Sequence, residues 1–397
     1  MSGTTSSPAR PSVAGWGFVA LAVLATVPGV ALELAHLHPP EPVRALVFGL
    51  AIVGAAFLIS WAAEVVQLDF SQGLALTLLA LIAVLPEYVV DASYAWLAAS
   101  DPAYAGYAVA NMTGANRLLI GIAWPLVILL GFLRFRHRSV ALEEGHGLEL
   151  VVLLAATIYA FVLPFKGDIS LLDMAILVGL FAFYAWRVAR LPTEEPHLVG
   201  PAELIGSLPA GQRRVVTGLL AVGAAAAILL VAEPFATALV GTGTLLGVDE
   251  FLLVQWLAPL ASEAPEFIVV ALFAWRGQST PALGTLVSSK INQWTLLVAT
   301  LPLVYTVALG HPTPLPLDTR QTEEVLLTAA QSLFAVSLLL NLRLSLLEAG
   351  ALFGLFAVQM VFPQTRLAVT VVYCVLTVVV LLATRHQVAR AFRWLRA

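Results

Sequence analysis

The sequence predicts an all-α membrane protein of about twelve transmembrane helices, arranged as two inverted repeats. Three observations carry that expectation. The first is composition. The 397 residues are 60% hydrophobic and only 11% charged, with a mean hydropathy of +0.93, against about 25% charged residues in soluble domains. Apolar runs of about 20 residues recur from end to end and need a bilayer, which leaves no room for a sizeable soluble domain. The second is internal repetition. Residues 78–96 lie over residues 257–275 at an offset of 179 positions, with eight of nineteen identical, including Pro86 over Pro265 and Glu87 over Glu266. The third is charge placement. With the N-terminus inside, fourteen Lys and Arg fall in inner connections and four in outer ones, which fixes an orientation.

Taken in order, residues 1–12 are polar and expected to be disordered. The run 13–34 has the length of a retained helix. Its single-Arg flank also fits a secretory leader, but no clean small-residue cleavage site follows. Further spans are expected at roughly 43–66, 72–99, 104–133, 147–165 and 169–189. The first half (13–190) contains repeat 1 at about 72–133. A polar cytoplasmic linker, 191–212, divides the chain. The second half (213–385) has spans at roughly 213–240, 250–275, 281–308, 323–341, 345–362 and 366–384, with repeat 2 at about 250–308. A basic tail, 386–397, ends the chain. Both termini are placed in the cytoplasm, at a plasma membrane of bacterial type. The lone cysteine, Cys374, sits in an apolar run and excludes an internal disulfide.

This topology runs the first Pro-Glu helix outward and the second inward, so the two copies are inverted. Interrupted, paired hydrophobic segments of that kind point to a transport site near the midplane. The chemistry agrees. Glu87 and Asp91 stand one turn apart, as do Ser262 and Glu266, with Glu263 beside them. Each Pro deletes a backbone donor and frees a carbonyl one turn earlier. Polar residues open each partner segment: Asn111, Asn116 and Arg117 in one, Ser288, Ser289, Lys290, Asn292 and Gln293 in the other. Carboxylates, amides, hydroxyls and free carbonyls are the oxygen ligands of hard cations. Acids and a lysine inside hydrocarbon are functional candidates by default. Glu64 and Glu348, near span ends, read instead as helix-end acids.

The duplicated motifs resemble the α-repeats of the calcium/cation antiporter superfamily, whose pattern is Gly-Thr-Ser-x-Pro-Glu followed by Gly-Ser-Asn-x-x-Asn. Here the copies read Ala83-Val84-Leu85-Pro86-Glu87 with Gly114-Ala115-Asn116, and Ser262-Glu263-Ala264-Pro265-Glu266 with Ser288-Ser289-Lys290. The resemblance covers roughly 43–362 and leaves the first and twelfth helices as additions to a ten-helix core. It implies a secondary cation antiporter exchanging Ca2+ or Na+ against Na+ or H+ by alternating access, with Glu87 and Glu266 as the central metal-binding acids. Asp91, Glu263, Ser262, Ser289, Asn116 and Asn292 are expected to complete the cation site, and Lys290 with Arg117 to act as countercharges. Lys290 stands where the family has Asn, and Leu119 replaces an amide. The full set of sodium sites is therefore not expected.

Other readings are a Na+/H+-type exchanger, a non-transporting cation sensor, a channel and an intramembrane enzyme. The last needs a nucleophile–base pair, and adjacent Ser289 and Lys290 point to different helix faces. No nucleotide-binding loop is present, so ATP-driven pumping is not expected. Inorganic cations and the lipid bilayer are the expected partners; no cofactor and no nucleic acid is.

Overall fold

A computed structural model describes residues 14–69, 85–190 and 198–384. The expected disordered N-terminus, the basic tail and the first part of the span at 72–99 fall outside the described residues. Thirteen helices are described: α1 (Ala14–Leu34), α2 (Glu41–Val66), α3 (Leu85–Leu97), α4 (Ala103–Phe135), α5 (Gly147–Lys166), α6 (Leu171–Val188), α7 (Pro201–Gly206), α8 (Ala210–Leu246), α9 (Glu250–Trp275), α10 (Ser279–Leu309), α11 (Thr319–Leu339), α12 (Leu346–Val361) and α13 (Arg366–Ala383). Ten of these are long and apolar enough to cross a bilayer, and α12 is a shorter apolar helix. Helix α3 begins where the description resumes. The fold is an all-α membrane fold, with the backbone satisfied within helices as lipid demands.

Two short β-pairings establish the inversion. Strand β1 (Ser139–Ala141) follows α4 and pairs antiparallel with β4 (Arg343–Ser345), which precedes α12. Strand β2 (Asp168–Ile169) precedes α6 and pairs with β3 (Leu315–Pro316), which follows α10. Helix α5 connects β1 to β2 and spans 20 residues, about 30 Å, so the two pairings lie at opposite ends of the bundle. Helix α4 therefore ends where β1 lies and α10 ends at the other face. Exchanging the repeats maps one pairing onto the other.

Local features repeat with the same logic. A π-helical turn interrupts α4 at Leu119–Ala123 and α10 at Gln293–Leu297, 174 positions apart. Helices α6 and α12 both start with a capping box, Ser170 with Asp173 and Ser345 with Glu348, 175 positions apart. Each box satisfies two orphan donors of the first turn. Glu348 is thus a helix-end acid, as expected.

The repeats cross where side chains vanish. Pro259 and Pro265 lie inside α9. Pro259 removes the donor that the Gln255 carbonyl would otherwise receive one turn on. That carbonyl packs against Gly114 of α4, so closely that a Cβ there would overlap it. The Gln255 side chain reaches Thr113 Oγ1 at 3.4 Å.

The linker differs from expectation. Its residues Pro201, Ala202, Leu204 and Ile205 are buried. They form α7, which packs on α1 and α2. The polar flanks TEEP and LPAGQ hid a short apolar helix between them. Helix α8 also begins earlier and ends later than the expected 213–240. Asp69, just beyond α2, accepts hydrogen bonds from Arg213 at 2.8 and 2.7 Å and from Arg214 at 3.0 Å. The Arg213 bonds hold its carboxyl down at about 2.

Candidate functional site

The polar residues of both repeats meet at the crossing of α3, α4, α9 and α10. Glu87 is buried on α3. Its carboxyl is within hydrogen-bond reach of the Glu263 carboxyl, with Asp91, Glu266 and Lys290 close enough to act on it electrostatically. Glu263 also accepts from Gln293 Nε2 at the start of the α10 π-turn. Asp91 is fully buried and accepts from Asn111 Nδ2 at 2.6 Å. Glu266, the repeat partner of Glu87, is half-buried and is hydrogen-bonded by Ser289. The acid in contact with Glu87 is thus Glu263, which has no counterpart in repeat 1.

Lys290 is fully buried. Its Nζ donates to the Asn116 carbonyl at 2.8 Å and to Asn116 Oδ1 at 2.5 Å. It lies 5.2 Å from the Trp294 ring centroid and within the field of Glu263 and Glu87. Asn116 and Lys290 occupy equivalent places, three residues before the two π-turns. The ammonium therefore takes the oxygens that its repeat partner offers. Asn116 Nδ2 is held by Met112 O at 2.9 Å.

One expected residue, Arg117, stands differently. Arg117 is no countercharge to the central acids. It pairs with Glu324 of α11 at 2.6 Å, both 1% exposed, donates to Gln359 Oε1 of α12 at 2.7 Å, and packs over Trp256. One step along a helix turns a side chain by about 100°, so Arg117 points away from the face of Asn116. Ser262 Oγ bonds back to Ala258 O and Pro259 O at 3.2 and 3.3 Å within α9. Asn292 is half-buried, with its Oδ1 unpartnered.

The donor set is all oxygen. Glu87 Oε1, Asp91 Oδ2, Glu263 Oε2, Glu266 Oε1, Asn111 Oδ1, Asn292 Oδ1 and Gln293 Oε1 are buried without a hydrogen-bond partner. This matches the carboxylate and amide ligands that hard cations take. Among the described residues, no three His, Cys, Asp or Glu side chains converge tightly enough to hold a metal. The arrangement is a loose set of acids facing one ammonium.

Sequence reasoning passed over a second pair of repeat-related acids, Glu149 in α5 and Glu324 in α11, 175 positions apart. Continuing the self-comparison past the Pro-Glu helices finds it, along with SLLD at 170–173 against SLLE at 345–348.

Comparison with known proteins follows the same division. Residues 42–189 and 216–365 match the sodium/calcium exchanger protein family, leaving α1 and α13 outside. A structure described as "Crystal Structure of H+/Ca2+ Exchanger CAX" is 43% identical, with 96% of this chain and 97% of that one covered and a TM-score of 0.92. "Structure of native YfkE" matches at 16% identity and TM-score 0.62, covering 87% of this chain and 98% of that one. A sodium-calcium exchanger structure, NCX_Mj, matches at 16% identity and TM-score 0.51, covering 87% and 99%; these last two speak to fold alone. No curated protein matches. The chain belongs to the sodium/calcium exchanger protein family and is a membrane cation antiporter.

Proposed function

We propose that this protein exchanges Ca2+ for protons, with Glu87, Glu263 and Glu266 as the acids that bind one or the other. The observation that carries the reading is the cluster of acids itself: Glu87, Asp91 and Glu263 are buried, and each of them, like Glu266, keeps a buried carboxyl oxygen without a hydrogen-bond partner. A divalent cation and protons drawn to the same oxygens compete for one site. Asp91, Asn111, Gln293 and Asn292 would supply further oxygens, and Ser289 would orient Glu266. The 43% identity to a chain described as an H+/Ca2+ exchanger supports the same pairing of ions.

Lys290 makes the proton the better coupling ion. With Arg117 neutralised by Glu324, the central charges are four acids against one ammonium. The tethered ammonium already bonds Asn116 and repels a second monovalent ion in the cavity. It makes the empty site tolerable without sodium. In this reading the termini and the linker face the cytoplasm, as the distribution of Arg and Lys indicates.

The test is ion flux in proteoliposomes with Ca2+, Na+ and pH gradients varied separately. Ca2+ uptake driven by an outward-directed proton gradient from the Ca2+-accumulating compartment, without Na+, is expected. Uptake that requires a sodium gradient and ignores pH refutes the proposal.

A further inference from the structure

The cation site is covered on the side of the α3–α4 connection. Along α3 from Glu87, Asp91 comes one turn on and Tyr94 nearly one turn after it, about 10 Å in all. Tyr94 is fully buried. Its ring stands 6.4 Å from that of Tyr104 and 6.4 Å from that of Tyr107 on α4, and those two meet edge-on at 5.4 Å. These are the separations of aromatic pairs in contact. Asn111, which bonds Asp91, lies one turn deeper than Tyr107 on the same face of α4. The three rings therefore cap the Asp91–Asn111 pair where α3 stops and α4 starts.

The surroundings of the rings are negative. Asp101, Glu233 and Glu41 act electrostatically on Tyr104, and Glu250, Asp101 and Asp249 on Tyr107. Arg44 pairs with Glu41 and Arg320 with Asp249, so five acids stand against two arginines. A mouth of that charge concentrates cations.

We propose that Tyr94, Tyr104 and Tyr107 form the gate through which cations reach Asp91 from this face. The proposal rests on the reading of the acid cluster as the cation site and assigns its way in. Two observations carry it. Tyr94 Oη is buried without a hydrogen-bond partner, as are Asp91 Oδ2 and Asn111 Oδ1 on the deeper side of the ring. Unmet buried oxygens cost stability. A permanently closed path leaves that cost standing, whereas a path that opens satisfies the row with water or with the passing ion. The second observation is asymmetry. The repeat offset of 179 sets Phe273 at the place of Tyr94, and the offset of 174 sets Gln278 and Pro281 at the places of Tyr104 and Tyr107. The inverted face thus has no ring triad. Repeat 2 is also less covered: Glu266, Ser289 and Asn292 are half-buried, where their counterparts Glu87, Ala115 and Leu118 are buried.

The test is thiol accessibility in oriented proteoliposomes without Ca2+. Cys374→Ser removes the lone cysteine, and Asn111→Cys places a reporter behind the rings. Ser100→Cys, exposed in the α3–α4 connection, identifies the side of the bilayer in a separate sample. A membrane-impermeant, cationic methanethiosulfonate is added from one side at a time. From the Ser100 side the reporter should react slowly, and adding Tyr94→Ala should speed it about tenfold, since two aromatic pairs are lost. Tyr104→Ala, at a half-buried position, should do the same and decides the matter where Tyr94→Ala does not fold. Tyr94→Phe keeps both ring pairs and should stay at the parent rate. From the other side no tyrosine variant should change the rate. A rate unmoved by the alanine variants, a rate raised equally from both sides, or a Tyr94→Phe variant as open as Tyr94→Ala overturns the gate. Labelling needs no transport, so an absence of wild-type Ca2+/H+ flux refutes the exchange reading while the labelling still decides the gate.

Discussion

Replacing Glu324 with Gln separates a structural ion pair from a transport role for Arg117. The two charges are 2.6 Å apart and each 1% exposed. Gln359 and the Trp256 ring, 5.1 Å from the guanidinium carbon, complete the surroundings of Arg117. Glutamine is nearly isosteric with glutamate, so packing is kept and the loss is electrostatic. A buried ion-pair member left without its partner destabilises by about 3–5 kcal/mol. Arg366 also loses a contact at 3.3 Å, but it is 18% exposed and keeps Glu323, so its share stays within about 1 kcal/mol. The Gln359 and Trp256 contacts exist before and after and cancel. The expected cost of Glu324→Gln is therefore about 3 kcal/mol, near the lower end of that range. Replacing both charges, Arg117→Met with Glu324→Leu, should return stability to within about 1 kcal/mol of wild type or above it. Thermal and denaturant unfolding in detergent measures all three proteins, with Glu323→Gln as the exposed control. A Glu324→Gln variant as stable as wild type, or a double variant no more stable than Glu324→Gln, would refute the claim that Arg117 is held by Glu324 rather than by the central acids.

Other expectations follow from the site. Glu87→Gln, Glu263→Gln and Glu266→Gln should each abolish Ca2+ flux while the protein still folds, as judged by monodisperse elution; undiminished flux in all three ends the assignment. Lys290→Asn should raise apparent Ca2+ affinity and weaken the pH dependence of transport, because the competing ammonium is gone; flux assays over a Ca2+ and pH grid decide it. Asp69 is held at about 2, below the carboxylate model value of 3.8, by Arg213. A depressed folded value adds stability above the unfolded one and loses it as pH falls from about 4 to about 2. Asp69→Asn should thus cost about 1 kcal/mol near neutrality, discounted because Arg214 is 65% exposed; the melting difference from wild type should vanish by about pH 2.

Much of this was legible in the chain because hydrocarbon punishes exceptions. Glu87, Glu263, Glu266, Asp91 and Lys290 stand out against an apolar background, and all five meet at the helix crossing. The Pro-Glu repeat and the arginine distribution gave the inverted plan, which the β-pairings bear out. What failed was direction. Arg117 and Asn116 are neighbours in sequence, and no spacing rule says which of two adjacent side chains faces the acids and which faces α11. Glu263 stood as a secondary acid because it lacks a repeat partner, yet it is the one that touches Glu87. Helix α7 was hidden because six residues between polar flanks are too few to show a period.

The paired π-helical turns bear on how such a bundle moves. Each adjoins the cation site, at Leu119–Ala123 and Gln293–Leu297, and the second begins on Gln293, which bonds Glu263. A π-turn holds one more residue than the α-helix around it. If that surplus residue travels along the helix, everything between the old and new positions turns by about 100° and slides by about 1.5 Å, while both ends stay anchored. The helix then behaves as a screw with a movable slack turn, and hydrogen bonds are exchanged one at a time. Because the slack is present in both copies, pointing toward opposite faces, the same small rotation made in one copy or the other turns Asn116 or Lys290 relative to the acids from opposite ends of the membrane.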